Sequence, residues 1–145
     1  MTNKYMYFIA NWKMFGDLRT LNLLDSVIKF SNSNKKRKQK TNQVLARQIN
    51  NGLKSIKNRS NIIVAYEPVW SIGTGLIPKS DNLSKSISFI KNKFGKKSPK
   101  ILYGGSVNGN NIAQLKDINS LDGFLVGGAS QNSKKFIDII KKTFN

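Results

Sequence analysis

The chain has 145 residues, with 25 Lys+Arg against 7 Asp+Glu for a net charge of +18, and contains neither cysteine nor histidine. Without cysteine there is no disulfide framework and no thiolate nucleophile, and without histidine the commonest zinc ligand is missing, so no metal site is expected. The length suits a single core, so a single domain over 1–145 is expected.

A positive excess of this size raises the question of nucleic acid. The lysines, however, are spread over every predicted helix beside abundant asparagine and isoleucine, and no basic groove interleaved with aromatics is visible. No specific nucleic-acid function is expected, only non-specific attraction to phosphate at low salt.

In chain order, Tyr5 to Ala10 reads as a strand. Its apolar stretch Met6–Ala10 is too short for a membrane span or a secretory leader, so a cytoplasmic protein with no membrane partner is expected. Leu18, Leu21, Leu24 and Ile28 mark one face of a first helix. Residues 31–42 are a polar linker, in which Lys35-Lys-Arg-Lys38 is a solvated charge run and not a localisation signal. Leu45, Ile49, Leu53 and Ile56 form the core-facing stripe of the next helix, and Asn61–Val64 reads as a buried strand. Ser80 is the expected cap of a helix whose Leu83, Ile87, Ile90 and Phe94 recur at three and four and which ends at Gly95. A strand Lys100–Tyr103, a short helix around Asn110–Lys116, a strand Leu121–Val126 and a last helix capped by Ser133 and running through Ile140 complete the pattern. Strand and helix alternate throughout, as a parallel α/β sheet requires.

Residues 65–75 read Ala-Tyr-Glu-Pro-Val-Trp-Ser-Ile-Gly-Thr-Gly. Glu67 thus stands at a strand's C-terminal end, Pro68 stiffens the exit, and Gly73-Thr74-Gly75 can bend at the far side, which is the composition of a lid. A carboxylate base followed by a lid points to proton abstraction away from water. Three further segments keep it company in order: Asn11-Trp12-Lys13-Met14, Tyr103-Gly104-Gly105-Ser106-Val107, and Gly123-Phe-Leu-Val-Gly127-Gly128-Ala129-Ser130. Together these segments resemble the triosephosphate isomerase family, and residues 1–30 and 43–145 all read as family sequence.

The resemblance implies a TIM barrel, which has eight strand-helix units and about 250 residues. Here the counterparts of strands two to five are missing, the gap falling at the 31–42 linker. The implied fold is a half-barrel of four parallel strands with helices, strands one, six, seven and eight in family terms. Two exposed edges invite pairing, so two copies are expected to complete an eight-strand barrel as a homodimer. The alternative is a single rebuilt four-strand sheet covered by helices on one face.

By the same resemblance, Glu67 is the catalytic base that interconverts dihydroxyacetone phosphate and glyceraldehyde 3-phosphate through an enediolate, without a cofactor. Lys13 binds substrate phosphate and enediolate charge, with Asn11 beside it. Gly73, Ser106, Gly127 and Gly128 form the phosphate-binding set, whose ligand is a phosphorylated triose or inorganic phosphate or sulfate. Glycines let backbone N–H groups approach such an anion closely. Trp12 and Trp70 are expected to pack the barrel end and anchor the lid. Gln131 stands where the family usually has an apolar residue. The family's electrophilic imidazole has no counterpart in a chain without histidine, so activity is expected to be weak or lost. The competing readings are a non-catalytic half-barrel that keeps a phosphate site, and an assembly fragment whose partner supplies the missing strands.

Overall fold

The computed structural model describes residues 6–10, 41–57 and 61–144. The expected first helix, most of the 31–42 linker, Asn11, Trp12 and Lys13 lie outside the described residues. The chain divides into two compact units, one of residues 1–12 with 57–145 and one of residues 13–56.

In the larger unit, strands β1 (Tyr7–Ala10), β2 (Ile63–Tyr66), β3 (Lys100–Tyr103) and β4 (Gly123–Val126) form one sheet in the order β1-β4-β3-β2. All pairings are parallel, with Tyr66 opposite Tyr103, Tyr103 opposite Phe124, and Ala10 opposite Val126. The last strand therefore neighbours the first, as the cyclic order of a barrel demands. Among the described residues, no strand lies beyond β1 or β2.

Residues opposite one another share a face of a sheet. One face carries Ile101, Tyr103, Phe124 and Val126, each fully buried. The other carries Ile63, Ala65 and Lys100, which are exposed, along with the buried Leu102 and Gly123. β2 is thus an outer strand with one face toward solvent, not the fully buried strand its apolar composition suggests. Ile63 is 44% exposed because nothing described covers it on that face.

Between β2 and β3 runs α2 (Ser80–Phe94). Its Leu83, Ile87 and Ile90 are buried as their spacing predicts, and Gly95 ends it at φ 66°, a left-handed conformation that favours glycine. Burying three such side chains contributes about 1.5–3 kcal/mol each, which outweighs the mediocre helix propensity of its four serines and two asparagines. Ser80 is the first helical residue and not the cap; Lys79 holds the cap position without a side-chain bond. The short α3 (Ile112–Lys116) buries Ile112 and Leu115, and α4 (Ser133–Phe144) buries Ile139 and Thr143. The cap of α4 is Asn132, one residue before the expected Ser133, because its Oδ1 accepts the Lys135 N–H at 3.1 Å. Gln131 is exposed, so its polar side chain takes nothing from the packing of α4.

In the smaller unit, α1 (Thr41–Gly52) has the predicted stripe, with Leu45 and Ile49 half-buried, but no residue of the helix is buried. Leu53 and Ile56 fall past its end, and Ile56 is 40% exposed. The stripe faces no core among the described residues.

Opposite the site, Asp122 joins the N-terminal ends of β3 and β4. Its Oδ2 accepts the Ile101 N–H at 2.9 Å and meets Lys91 Nζ at 3.1 Å, while Oδ1 lies 3.4 Å from Lys100 Nζ. Burial pushes the carboxyl up, but the Ile101 N–H and the two ammonium groups outweigh it and hold the group below its ordinary value.

Candidate active site

Glu67 follows β2 directly and continues the face of Ile63 and Ala65. The Gly104 N–H donates to Tyr66 O at 2.9 Å, extending the β2–β3 ladder one residue past the end of β3. Glu67 and Gly104 therefore meet at the C-terminal edge of the sheet. A Cβ on Gly104 would stand 2.7 Å from Glu67 Cγ and 2.9 Å from Oε1. The glycine is what leaves room for the half-buried carboxylate to cross it.

After the buried Pro68 the chain makes a single 3-10 turn, Val69–Ser71, closed by the Ser71 N–H to Pro68 O at 2.8 Å. Gly73 and Gly75 then adopt φ of 70° and 79°, conformations that L side chains resist. Thr74 Oγ1 lies 3.2 Å from both Trp70 O and Ser71 O and accepts the Leu76 N–H at 3.2 Å, so the tip of the loop is bonded to itself. Trp70 is 41% exposed and Val69 54%. Trp70 does not anchor the loop as its size suggests. That role falls to Ser71, which is fully buried.

Ser71 Oγ donates to Leu76 O at 2.5 Å, lies 2.7 Å from Tyr103 Oη and accepts the Ser106 N–H at 3.1 Å. A Cβ on Gly105 would collide with the Tyr103 hydroxyl and come within 2.6 Å of Ser71 Oγ, so this glycine is also dictated by packing. Burial raises the Tyr103 phenol above its ordinary value. Asn111 holds the far side of the turn, its Nδ2 donating to Ser106 O at 3.0 Å and its Oδ1 accepting the Asn108 N–H at 2.9 Å.

Gly127 and Gly128 follow β4. The Gly127 carbonyl accepts both the N–H and the hydroxyl of Ser130, at 2.9 and 2.8 Å, which fixes the turn. A Cβ on Gly73, Gly127 or Gly128 would meet nothing within 4 Å. These three glycines border open space, whereas Gly104 and Gly105 are packed against side chains. A cavity of about 250 Å³ lined by Asn108, Gly109, Asn110, Ala129 and Lys135 lies between the turn after β3 and the start of α4.

Glu67, Gly73, Ser106, Gly127 and Gly128 thus all fall in the loops past the C-terminal ends of β2, β3 and β4, while Asn11 and Lys13 lie outside the described residues. Ser71, Tyr103 and Asn111 escaped the sequence reading as a bonded set. The available signal for Ser71 was a lone hydroxyl between Trp70 and Ile72 in an otherwise apolar stretch.

A parallel α/β sheet with a carboxylate and glycine turns at its C-terminal edge has the architecture of a partial (βα) barrel, in which that edge is where sites are built. The triosephosphate isomerase family profile matches residues 22–143, a span that includes Glu67, Gly73, Ser106, Gly127 and Gly128 and begins after Asn11 and Lys13. The chain belongs to the triosephosphate isomerase family. Triosephosphate isomerase of Saccharomyces cerevisiae is 46% identical over 112 residues, 72% of this chain and 45% of that protein. That of Yarrowia lipolytica is 43% identical over 111 residues, 72% and 44%. That of Mycoplasma mobile is 39% identical over 133 residues, 92% and 54%. The chain spans about half the length of the curated relatives it matches.

Proposed function

We propose that this chain binds a phosphorylated triose at the C-terminal edge of its sheet and interconverts dihydroxyacetone phosphate and glyceraldehyde 3-phosphate weakly, with Glu67 as the base. The observation that carries this reading is the Glu67 side chain laid across Gly104 at the end of β2, beside turns whose Gly127 and Gly128 border open space. A carboxylate so placed takes the proton from the carbon next to the carbonyl, the negative charge that passes to the carbonyl oxygen takes up the proton of the adjacent hydroxyl, and the first proton returns to the former carbonyl carbon, leaving the new carbonyl where the hydroxyl stood. The phosphate is held by backbone N–H groups of Gly73, Ser106, Gly127 and Gly128, and inorganic phosphate or sulfate is a simpler ligand for the same set. Lys13 and Asn11 supply the donors to the enediolate oxygen, and no cofactor enters the reaction.

Turnover is weak because a chain without histidine lacks an imidazole electrophile. A lost oxyanion donor typically costs about 10²–10³ in rate. That same absence favours the second reading, a non-catalytic half-barrel that keeps the phosphate-binding site without isomerase activity. The outer positions of β1 and β2 and the exposed Ile63 support assembly of two copies into one eight-strand barrel. Among the described residues no helix is long and apolar enough to cross a membrane, and we place the protein in the cytoplasm.

The test is a coupled isomerase assay on protein rigorously freed of host enzyme, comparing the natural chain with Glu67→Gln. Slow turnover lost in the variant is the expected result. Turnover equal in both proteins removes Glu67 from the reaction, and none in either leaves the phosphate-binding reading.

A further inference from the structure

One side of α4 is fastened and the other is bare. Ile139 and Thr143 are buried and Phe136 and Ile140 half-buried, while Lys116 Nζ of α3 donates to the Lys142 carbonyl at 3.1 Å. On the opposite side Lys134, Ile137, Lys141 and Phe144 follow one another at three, four and three residues and so share one stripe. Ile137 is 48% and Phe144 63% exposed, with the exposed Lys134 and Lys141 between and beside them. Lys135 and Lys142 add two ammonium groups on one flank, and the single acid of the helix, Asp138, meets Lys142 Nζ at 2.9 Å.

Lysine is abundant throughout the chain, and a single exposed apolar side chain is ordinary. Their combination on one stripe is not. The outward side of α2 carries Lys85, Asn92 and Lys93 with no exposed large apolar residue, and among the described residues of the larger unit α4 is the one helix that sets such residues between lysines. Ammonium groups and apolar side chains in one row complement a surface that is anionic at its boundary and apolar beneath, since a lysine stem lies with the apolar groups while its head reaches outward. We propose that the outward stripe of α4 docks this protein on an anionic phospholipid surface. The helix is already held by its inner side, so docking orders nothing new. The expected lack of a membrane partner rested on a stretch too short to span, which has no bearing on a helix lying along a bilayer. An acidic polymer would meet the lysines and leave Ile137 and Phe144 in water, which is why the bilayer is favoured.

The experiment is cosedimentation with vesicles of phosphatidylcholine alone and of phosphatidylcholine and phosphatidylglycerol in equal parts, at physiological salt. The natural chain should pellet with the anionic vesicles only. Lys134→Gln/Lys141→Gln keeps both apolar groups and is expected to lower partition by about fivefold for each lysine. Ile137→Ser/Phe144→Ser keeps every charge and should also bind less, whereas Lys85→Gln/Lys93→Gln removes the same charge from α2 and should bind like the natural chain. Circular dichroism and light scattering on each variant separate loss of docking from loss of fold or change of mass. The chain has no cysteine, so a bimane dye on Ile137→Cys reports contact directly: its emission should shift to the blue with anionic vesicles, and that of the same dye on Asn92→Cys should not. The proposal is overturned if the natural chain does not pellet, or if the α2 and α4 lysine variants lose binding equally, which would reduce it to unspecific charge. It is equally overturned by heparin binding without a bimane shift on vesicles, which gives the stripe to an acidic polymer, or by a change of mass in Ile137→Ser/Phe144→Ser, which gives it to a second copy. No isomerase or phosphate measurement enters, so the proposed function stands or falls separately.

Discussion

Glu67 lies so close to Gly104 that a single methyl on the glycine would stand 2.7 Å from its Cγ. The base and the glycine of the next strand are one unit: the ladder bond from the Gly104 N–H to Tyr66 O sets their positions, and the missing side chain supplies the room. Gly104→Ala is therefore expected to push the carboxylate off its site. Overpacking of this kind costs about 1–3 kcal/mol, and any isomerase turnover should fall with it. Denaturant unfolding and the coupled assay read the two effects, and a variant unchanged in both would contradict the observed contact.

Phosphate binding at the glycine turns should be weak and should fade as salt screens it. Ser106→Asp puts a like charge beside the anion and is expected to abolish the binding in a calorimetric titration. Retained affinity in that variant would place the anion elsewhere, for which the cavity bordered by Lys135 is the first alternative.

At the other end of the strands, Asp122 is predicted to matter for stability alone. Asp122→Ala strands the Ile101 N–H and leaves Lys91 and Lys100 without their partner, a loss of about 2 kcal/mol for a charged hydrogen bond. The pH dependence has a definite sign. The folded carboxyl is held below the ordinary value of about 3.9, so its contribution is complete above that value and disappears as pH falls through the lowered one. Urea midpoints measured from pH 6 down to pH 3 should fall less steeply in Asp122→Asn than in the natural chain. Parallel curves would assign the acid sensitivity to other groups.

Assembly is open to a direct measurement. Light scattering at micromolar concentration should give twice the chain mass if β2 of one copy pairs with β1 of another. Ile63→Lys sets a charge on the exposed face of β2 and should return the protein to a monomer without loss of helix signal. A natural chain that stays monomeric at all concentrations would favour the lone four-strand sheet.

Much of this architecture is legible in the residues themselves. The 3.6-residue spacing of Leu83, Ile87 and Ile90 determined which face of α2 is buried, and Gly95 determined its end, because both follow from local geometry. Lys100–Tyr103 is recognisable as a strand from a short apolar run after Pro99, and the position of Glu67 past a strand end from the residues on either side. What tertiary structure alone decided is which groups meet. Ile63 is as apolar as Ile101, yet one is 44% exposed and the other fully buried, because burial depends on whether a neighbour is present and not on the side chain. Trp70 has the bulk of an anchor, while Ser71 beside it does the anchoring, through Tyr103 and Ser106, 32 and 35 residues away in the chain. A hydroxyl carries no mark of its distant partners in the sequence; the parallel pairing of β2 with β3 brings them within hydrogen-bond range.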